Sequence, residues 1–130
     1  VAGFIGSPKM NFISTNITSK GGSGIEVSIF ESSKITIPKT SANASEGDQV
    51  QLGIRPEHLL VNQDGDATWE SKVFVVEKLG SGTFLYLEKD GDPLVVEAEG
   101  DTNIVVGDTI KIGFLATRCH LFDSNNQAFQ

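Results

Sequence analysis

The sequence predicts an all-β fold, a small barrel or sandwich of short antiparallel strands with little helix. Three observations predict it. Apolar and polar residues alternate in several short segments, the pattern of half-buried strands. Turn signals separate those segments, and the chain holds 14 glycines in 130 residues, which suits a fold with many turns. No window of about 11 residues carries apolar positions at the three-and-four spacing of a helix.

The elements follow in order. In Gly24–Phe30, Ile25, Val27 and Ile29 point one way while Glu26 and Ser28 point the other. Ile35 and Ile37 repeat the pattern until Pro38 ends the pairing. Val50, Leu52 and Ile54 repeat it again before Pro56, where Arg55–Leu59 can form one helical turn. Trp69–Leu79 and Thr83–Leu87 read as a hairpin joined by Gly80-Ser81-Gly82. Asp90-Gly91-Asp92 leads into Leu94-Val95-Val96, and Gly107-Asp108 into Ile110, Ile112 and Phe114. A last short strand runs roughly from Cys119 to Phe122. Residues 1–130 are read as one domain. A polar loop near residues 61–68 divides it into two β subdomains, neither large enough to stand alone. No internal repeat, heptad or low-complexity tract is expected.

The formal net charge of −7 argues against phosphate backbones and anionic lipid surfaces, so no nucleic-acid partner is expected. The single cysteine, Cys119, can form no intrachain disulfide, and a reducing, cytoplasmic location follows as an expectation. No apolar run approaches the ~20 residues of a transmembrane helix. The opening lacks a signal peptide's features and an initiator Met, so the chain is read as a fragment.

Chemistry is sparse. A nucleotide-binding loop needs Gly-x-x-x-x-Gly-Lys-Ser/Thr between strand and helix. Lys20-Gly21-Gly22-Ser23-Gly24 has the wrong order and precedes a strand, so it reads as a hairpin loop. Asp64-Gly65-Asp66 and Asp90-Gly91-Asp92 lack the ligand series of a calcium loop and read as turns. Cys119 and His120 are neighbours in a strand, face opposite ways and have too few companions for zinc, so Cys119 reads as core. Glu57 and His58 lack a catalytic partner. No catalytic residue, cofactor or metal is expected. Arg55 is held between an apolar strand and a stiff proline; it clamps either a loop carboxylate or a partner protein. Trp69 and Tyr86 leave open an alternative, a small-ligand module that takes a sugar or an oxyanion.

Three stretches resemble one family. Val1–Phe12 (Val-Ala-Gly-Phe-Ile-Gly-Ser-Pro-Lys-Met-Asn-Phe) is similar to the junction after the nucleotide-binding domain of maltose-type importer ATPase subunits. Leu52–Leu59 (Leu-Gly-Ile-Arg-Pro-Glu-His-Leu) resembles that family's mid-domain motif, and Arg118–Phe122 resembles its end. The glycine of Glu77-Lys78-Leu79-Gly80 fits a weaker fourth match. The resemblance implies an OB-like/TOBE fold, a C-terminal regulatory domain cut from its ATPase half. It also implies a homodimer partner, contact with its own ATPase domain and, through it, with importer membrane subunits. A phosphotransferase regulatory protein is a further partner in some members. The parent would sit on the inner face of the cytoplasmic membrane. Arg55, Pro56, Glu57, His58, Arg118 and His120 are the expected protein-interaction residues, with the Arg55–His58 turn placed at a two-fold contact.

Overall fold

The computed structural model describes residues 10–30, 33–80 and 82–130. Residues 1–9 of the opening motif and Ser81 of the hairpin turn lie outside them.

Among the described residues, ten strands form two five-stranded antiparallel sheets. The first holds β1 (Asn11–Gly21), β2 (Gly24–Ile29), β3 (Ser33–Ile37), β4 (Gln49–Ile54) and β10 (His120–Phe122), in the order β10-β4-β1-β2-β3. The second holds β5 (Leu60–Val61), β6 (Ala67–Leu79), β7 (Gly82–Leu87), β8 (Leu94–Ala98) and β9 (Thr109–Phe114), in the order β5-β9-β6-β7-β8. Two 3₁₀ turns, Pro56–His58 and Ala116–Arg118, supply the helix among the described residues. The fold is all-β, as the alternating segments predict.

The sheets interlock. β4 passes through the first 3₁₀ turn and continues as β5, which pairs with β9 of the second sheet. β9 passes through the second turn and continues as β10, which pairs with β4 of the first. The first turn packs on β8 and the second on β3. Asn11 adds a staple: its amide donates to Val95 O and accepts from Val95 N–H, each at 2.8 Å. One continuous core results, with Ile13, Ile25, Val27, Leu52, Val73, Leu85, Ile112 and Leu121 drawn from both sheets. Burial of apolar side chains supplies the main stabilisation, and neither sheet completes its core alone.

The expectation of no repeat is corrected. Ile17 N–H donates to Asp48 O at 3.0 Å and Gly47 N–H to Ile17 O at 2.8 Å. In the second half Val73 N–H donates to Asp108 O and Gly107 N–H to Val73 O, both at 2.8 Å. The register shifts immediately after both strand residues, between Ile17 and Ser19 and between Val73 and Val75. Gly47 (φ 90°) and Gly107 (φ 100°) occupy the left-handed region that glycine adopts without a Cβ penalty. The repeat lies in backbone hydrogen bonds, which many sequences satisfy, so side-chain similarity is slight.

β1 is an unpredicted strand. Its buried positions are Asn11, Ile13 and Ile17, and a polar residue in the series breaks the apolar alternation. Cys119 is a core residue as expected, with no exposed surface.

Candidate protein-interaction surface

The outer face of the first sheet is built by register. Phe12 lies opposite Gly53, and Gly53 opposite His120. Phe122 lies two residues beyond His120 and therefore on the same face. The Phe12 and Phe122 rings meet edge to face, with centroids 5.7 Å apart. Gly53 makes this possible: a Cβ there would sit 2.5 Å from Met10 Sδ and 3.0 Å from Phe122 Cε2. Phe12 keeps 48% of its surface exposed, so an aromatic ring stands open to solvent.

A group of cationic side chains adjoins this face. Arg55 is extended (φ −77°, ψ 147°) and Pro56 opens the 3₁₀ turn, where a fixed φ and a missing N–H cost nothing. Pro56 is buried, which anchors the turn, while Arg55 and Glu57 are exposed. His58 is half-buried, and its Nδ1 is shielded from solvent with no hydrogen-bond partner among the described residues. His120 is half-buried beside them. Burial lowers its pKa from the usual histidine value, and the charges of Lys39, Arg55 and His58 lower it further. Lys39, Arg55 and His58 therefore all bear on His120, in a domain whose net charge is −7.

Among the described residues the one ion pair is Lys111–Asp64, at 3.0 Å on the second half. Arg55 clamps no carboxylate there. The structure brings Arg55, His58 and His120 together on the buried footing of Pro56, with Glu57 on the same turn. Arg118 stands apart: it is exposed on the second 3₁₀ turn, against β3, and is not among the charges that act on His120. Lys39, Met10 and Phe12 were not singled out in the sequence. Lys39 joins only through tertiary structure, since Thr40 O accepts from Gln130 N–H at 3.0 Å and Phe129 N–H donates to Leu121 O at 2.9 Å, next to His120.

The remaining candidates are structural. Burial, with a smaller contribution from Asp66, pushes the Cys119 thiol up to about 12. Its Sγ donates weakly to Leu115 O at 3.4 Å, so it is a poor nucleophile. Asp66 accepts from Ala116 N–H at 2.8 Å and Asp64 pairs with Lys111, as turn residues do. No group of three or more His, Cys, Asp or Glu fit to hold a metal ion occurs among the described residues. An open cleft of about 780 Å³ lies between the halves, lined in part by Phe12, Phe30, Trp69, Lys89 and Asp92. Phe30 holds a left-handed backbone (φ 50°) and stacks on Trp69, with centroids 4.1 Å apart. No helix among the described residues is long and apolar enough to cross a membrane.

Comparison with known proteins places this geometry. Residues 6–59 match the family model described as MalK OB fold domain, and residues 52–122 match the TOBE domain. The chain is 44% identical over 130 residues to the maltose/maltodextrin import ATP-binding protein MalK of Vibrio cholerae, covering 98% of this chain and 35% of that protein. The MalK proteins of Vibrio parahaemolyticus and Salmonella typhi are 45% and 38% identical over the same shares. The chain thus spans about a third of the length of these relatives. A solved structure of the cytoplasmic molybdate-binding protein ModG, with molybdate bound, superposes with a TM-score of 0.71 at 12% identity, covering 85% of this chain and 94% of that one. That likeness concerns the fold. The two family matches overlap at residues 52–59, where β4 crosses into the first 3₁₀ turn, and the chain belongs to the TOBE domain family, continuous with a MalK-type OB fold.

Proposed function

We propose that this chain is the non-catalytic regulatory and dimer-stabilising domain of the ATP-binding subunit of a carbohydrate importer. The observation that carries the proposal is a match over 98% of the chain to one third of a maltose/maltodextrin import ATP-binding protein. The parent subunit would couple ATP hydrolysis to sugar uptake on the inner face of the cytoplasmic membrane. The present residues hold no nucleotide-binding loop, and their part is to hold and regulate. In this reading the domain is cytoplasmic and contacts its own ATPase half, a second subunit and, through them, the membrane subunits.

Arg55, Pro56, Glu57, His58 and His120 form a protein-contact surface in this proposal, with Arg118 a separate contact on the other turn. The cationic group and the exposed Phe12 suit a partner with an acidic, partly apolar face, such as a phosphotransferase regulatory protein. A sugar-binding alternative finds little support, because one face of Trp69 is covered by Phe30 and Tyr86 donates its hydroxyl to Glu77.

The test uses the parent subunit with and without these 130 residues. The truncated form should keep ATP hydrolysis and lose about tenfold or more in dimer affinity, because two tethered contacts would become one. Micromolar, saturable ATP binding by the isolated chain would overturn the non-catalytic assignment.

A further inference from the structure

The tripeptide Asp-Gly-Asp occurs at residues 64–66 and again at residues 90–92. The fold treats the two copies differently. The first is fastened to β9. Asn62 N–H donates to Lys111 O and Asp66 N–H to Phe114 O, each at 2.7 Å. The Asp64 carboxylate pairs with Lys111 at 3.0 Å. Gly65 lies so close to β9 that a Cβ on it would sit 2.6 Å from Phe114 N. The second copy lies in the connection from β7 to β8, and all three residues are exposed. Among the described residues, no hydrogen bond holds the backbone N–H of Asp90, Gly91 or Asp92. A Cβ on Gly91 would meet nothing nearer than Lys89 Nζ, at 4.0 Å. Gly91 (φ 79°) holds a left-handed backbone that glycine adopts without a Cβ penalty.

One contact at the second copy bears on its reactivity. Lys89 Nζ donates to Asp90 O at 3.2 Å. Asp90 C=O and Gly91 N–H belong to the same peptide group. A cationic donor on that oxygen stabilises the negative charge the group takes up when the N–H proton is lost. The Gly91 nitrogen is thereby readied as a nucleophile, and the nearest electrophile is the side-chain carboxyl of Asp90.

We infer that Asp90-Gly91 is a site of spontaneous isoaspartate formation, from which the fold shields Asp64-Gly65. The Gly91 N–H proton passes to water, the nitrogen bonds to Asp90 Cγ, and the carboxyl hydroxyl leaves as water. The product is a cyclic succinimide. Water then opens either of its carbonyls. Cleavage between the nitrogen and Cγ restores aspartate. Cleavage between the nitrogen and the main-chain carbonyl carbon leaves isoaspartate, with the chain routed through Cγ. One water departs and one enters, and nothing is oxidised or reduced. The backbone gains one carbon atom and the charge is unchanged. The altered turn lies on the wall of the open cleft between the halves, which Lys89, Asp90, Gly91 and Asp92 line together with Phe12 and Trp69. The modification therefore reshapes that cleft, while the turn itself contributes no buried side chain to the core.

Incubation of the 130-residue chain for weeks at neutral pH tests the assignment. Digestion and mass spectrometry with electron-based fragmentation then distinguish isoaspartate from aspartate at each site. Isoaspartate should accumulate at Asp90 about tenfold or more faster than at Asp64, because the fastened site reacts only from locally opened molecules. In denaturing urea the two identical tripeptides should converge to within about twofold, since that shielding is gone. Equal accumulation in the folded chain overturns the shielding, and a folded chain without isoaspartate at Asp90 overturns the site. The variants Asp90→Asn and Asp64→Asn read the same ring closure as deamidation, free of the carboxylate's own titration. The first should deamidate about tenfold or more faster than the second. Adding Lys89→Met to Asp90→Asn should slow that loss about threefold. An unchanged rate overturns the assistance assigned to the lysine.

Discussion

At the first crossover, Gly53 lies beneath the side chains of Met10 and Phe122; at the second, Gly113 lies beneath the backbone of residues 63–65. Both glycines occupy the same place in the repeated frame, five residues after the aspartate of a Gly-Asp turn and just before a 3₁₀ turn. What covers them differs. A side chain can swing aside, but a backbone held at both ends cannot. The two halves therefore share a framework and differ in how much freedom surrounds it. The tighter half carries exposed Val105 and Val106 in its Gly-Asp turn, and the looser half carries the open aromatic and cationic face.

The largest expected effect tests that difference directly. A Cβ at position 113 would lie 2.6 Å from Gln63 O and 2.8 Å from Gly65 N. Gly113→Ala should cost about 3 kcal/mol, the upper end of overpacking penalties. Gly53→Ala meets chiefly the flexible end of Met10 and should cost about 1 kcal/mol. Urea unfolding midpoints of the two variants decide it. Equal losses would break the comparison, because the halves would then be equally rigid at their crossovers.

A smaller effect concerns the staple between halves. Asn11 is buried and satisfies both the N–H and the C=O of Val95, whereas its counterpart by register, Ala67, reaches across to nothing. Asn11→Ala leaves two backbone groups of β8 unpaired and should cost about 2 kcal/mol. Amide exchange at Val95 should quicken in the variant. A loss no larger than that of an ordinary surface substitution would show that water replaces the side chain freely.

How far the sequence discloses this molecule depends on where each constraint sits. β2, β3, β4 and β9 are legible because one face of each is buried, so apolar residues recur at every second position. β1 is not, because buried Asn11 is polar and a bulge follows Ile17. The repeat leaves one visible trace, Gly47-Asp48-Gln49-Val50-Gln51-Leu52-Gly53 beside Gly107-Asp108-Thr109-Ile110-Lys111-Ile112-Gly113. The rest is backbone hydrogen bonding, which constrains side chains weakly. At the candidate surface, Arg55, His58 and His120 fall within short motifs. Lys39 follows a strand end with nothing local to mark it, and only the packing of the C-terminal residues brings it near. The contrast between the turns Ser45–Asp48 and Val105–Asp108 required the structural alignment of the halves before Val106 could be set against Glu46.

The smallest expected effect is electrostatic and belongs to the first half. His120 titrates lower in the folded chain than the ordinary histidine value of about 6.5, first through burial and then through Lys39, Arg55 and His58. Between the folded and unfolded pKa values the unfolded chain binds more protons, so stability rises with pH across that window. Acidification reverses this: the loss begins near the unfolded pKa and is complete below the folded one. His120→Gln removes the titrating group, so the variant should lose less thermal stability than the parent between neutral pH and pH 5. The difference should be modest, because the side chain remains largely in reach of solvent. Salt sharpens the attribution. Screening weakens the repulsion from Lys39, Arg55 and His58 and leaves the burial contribution, so added salt should shrink the difference without abolishing it. Nuclear magnetic resonance titration of His120 reads the same quantity. A folded pKa above the ordinary value would mean that an acid faces this imidazole, and the cationic character assigned to the first half would fall with it.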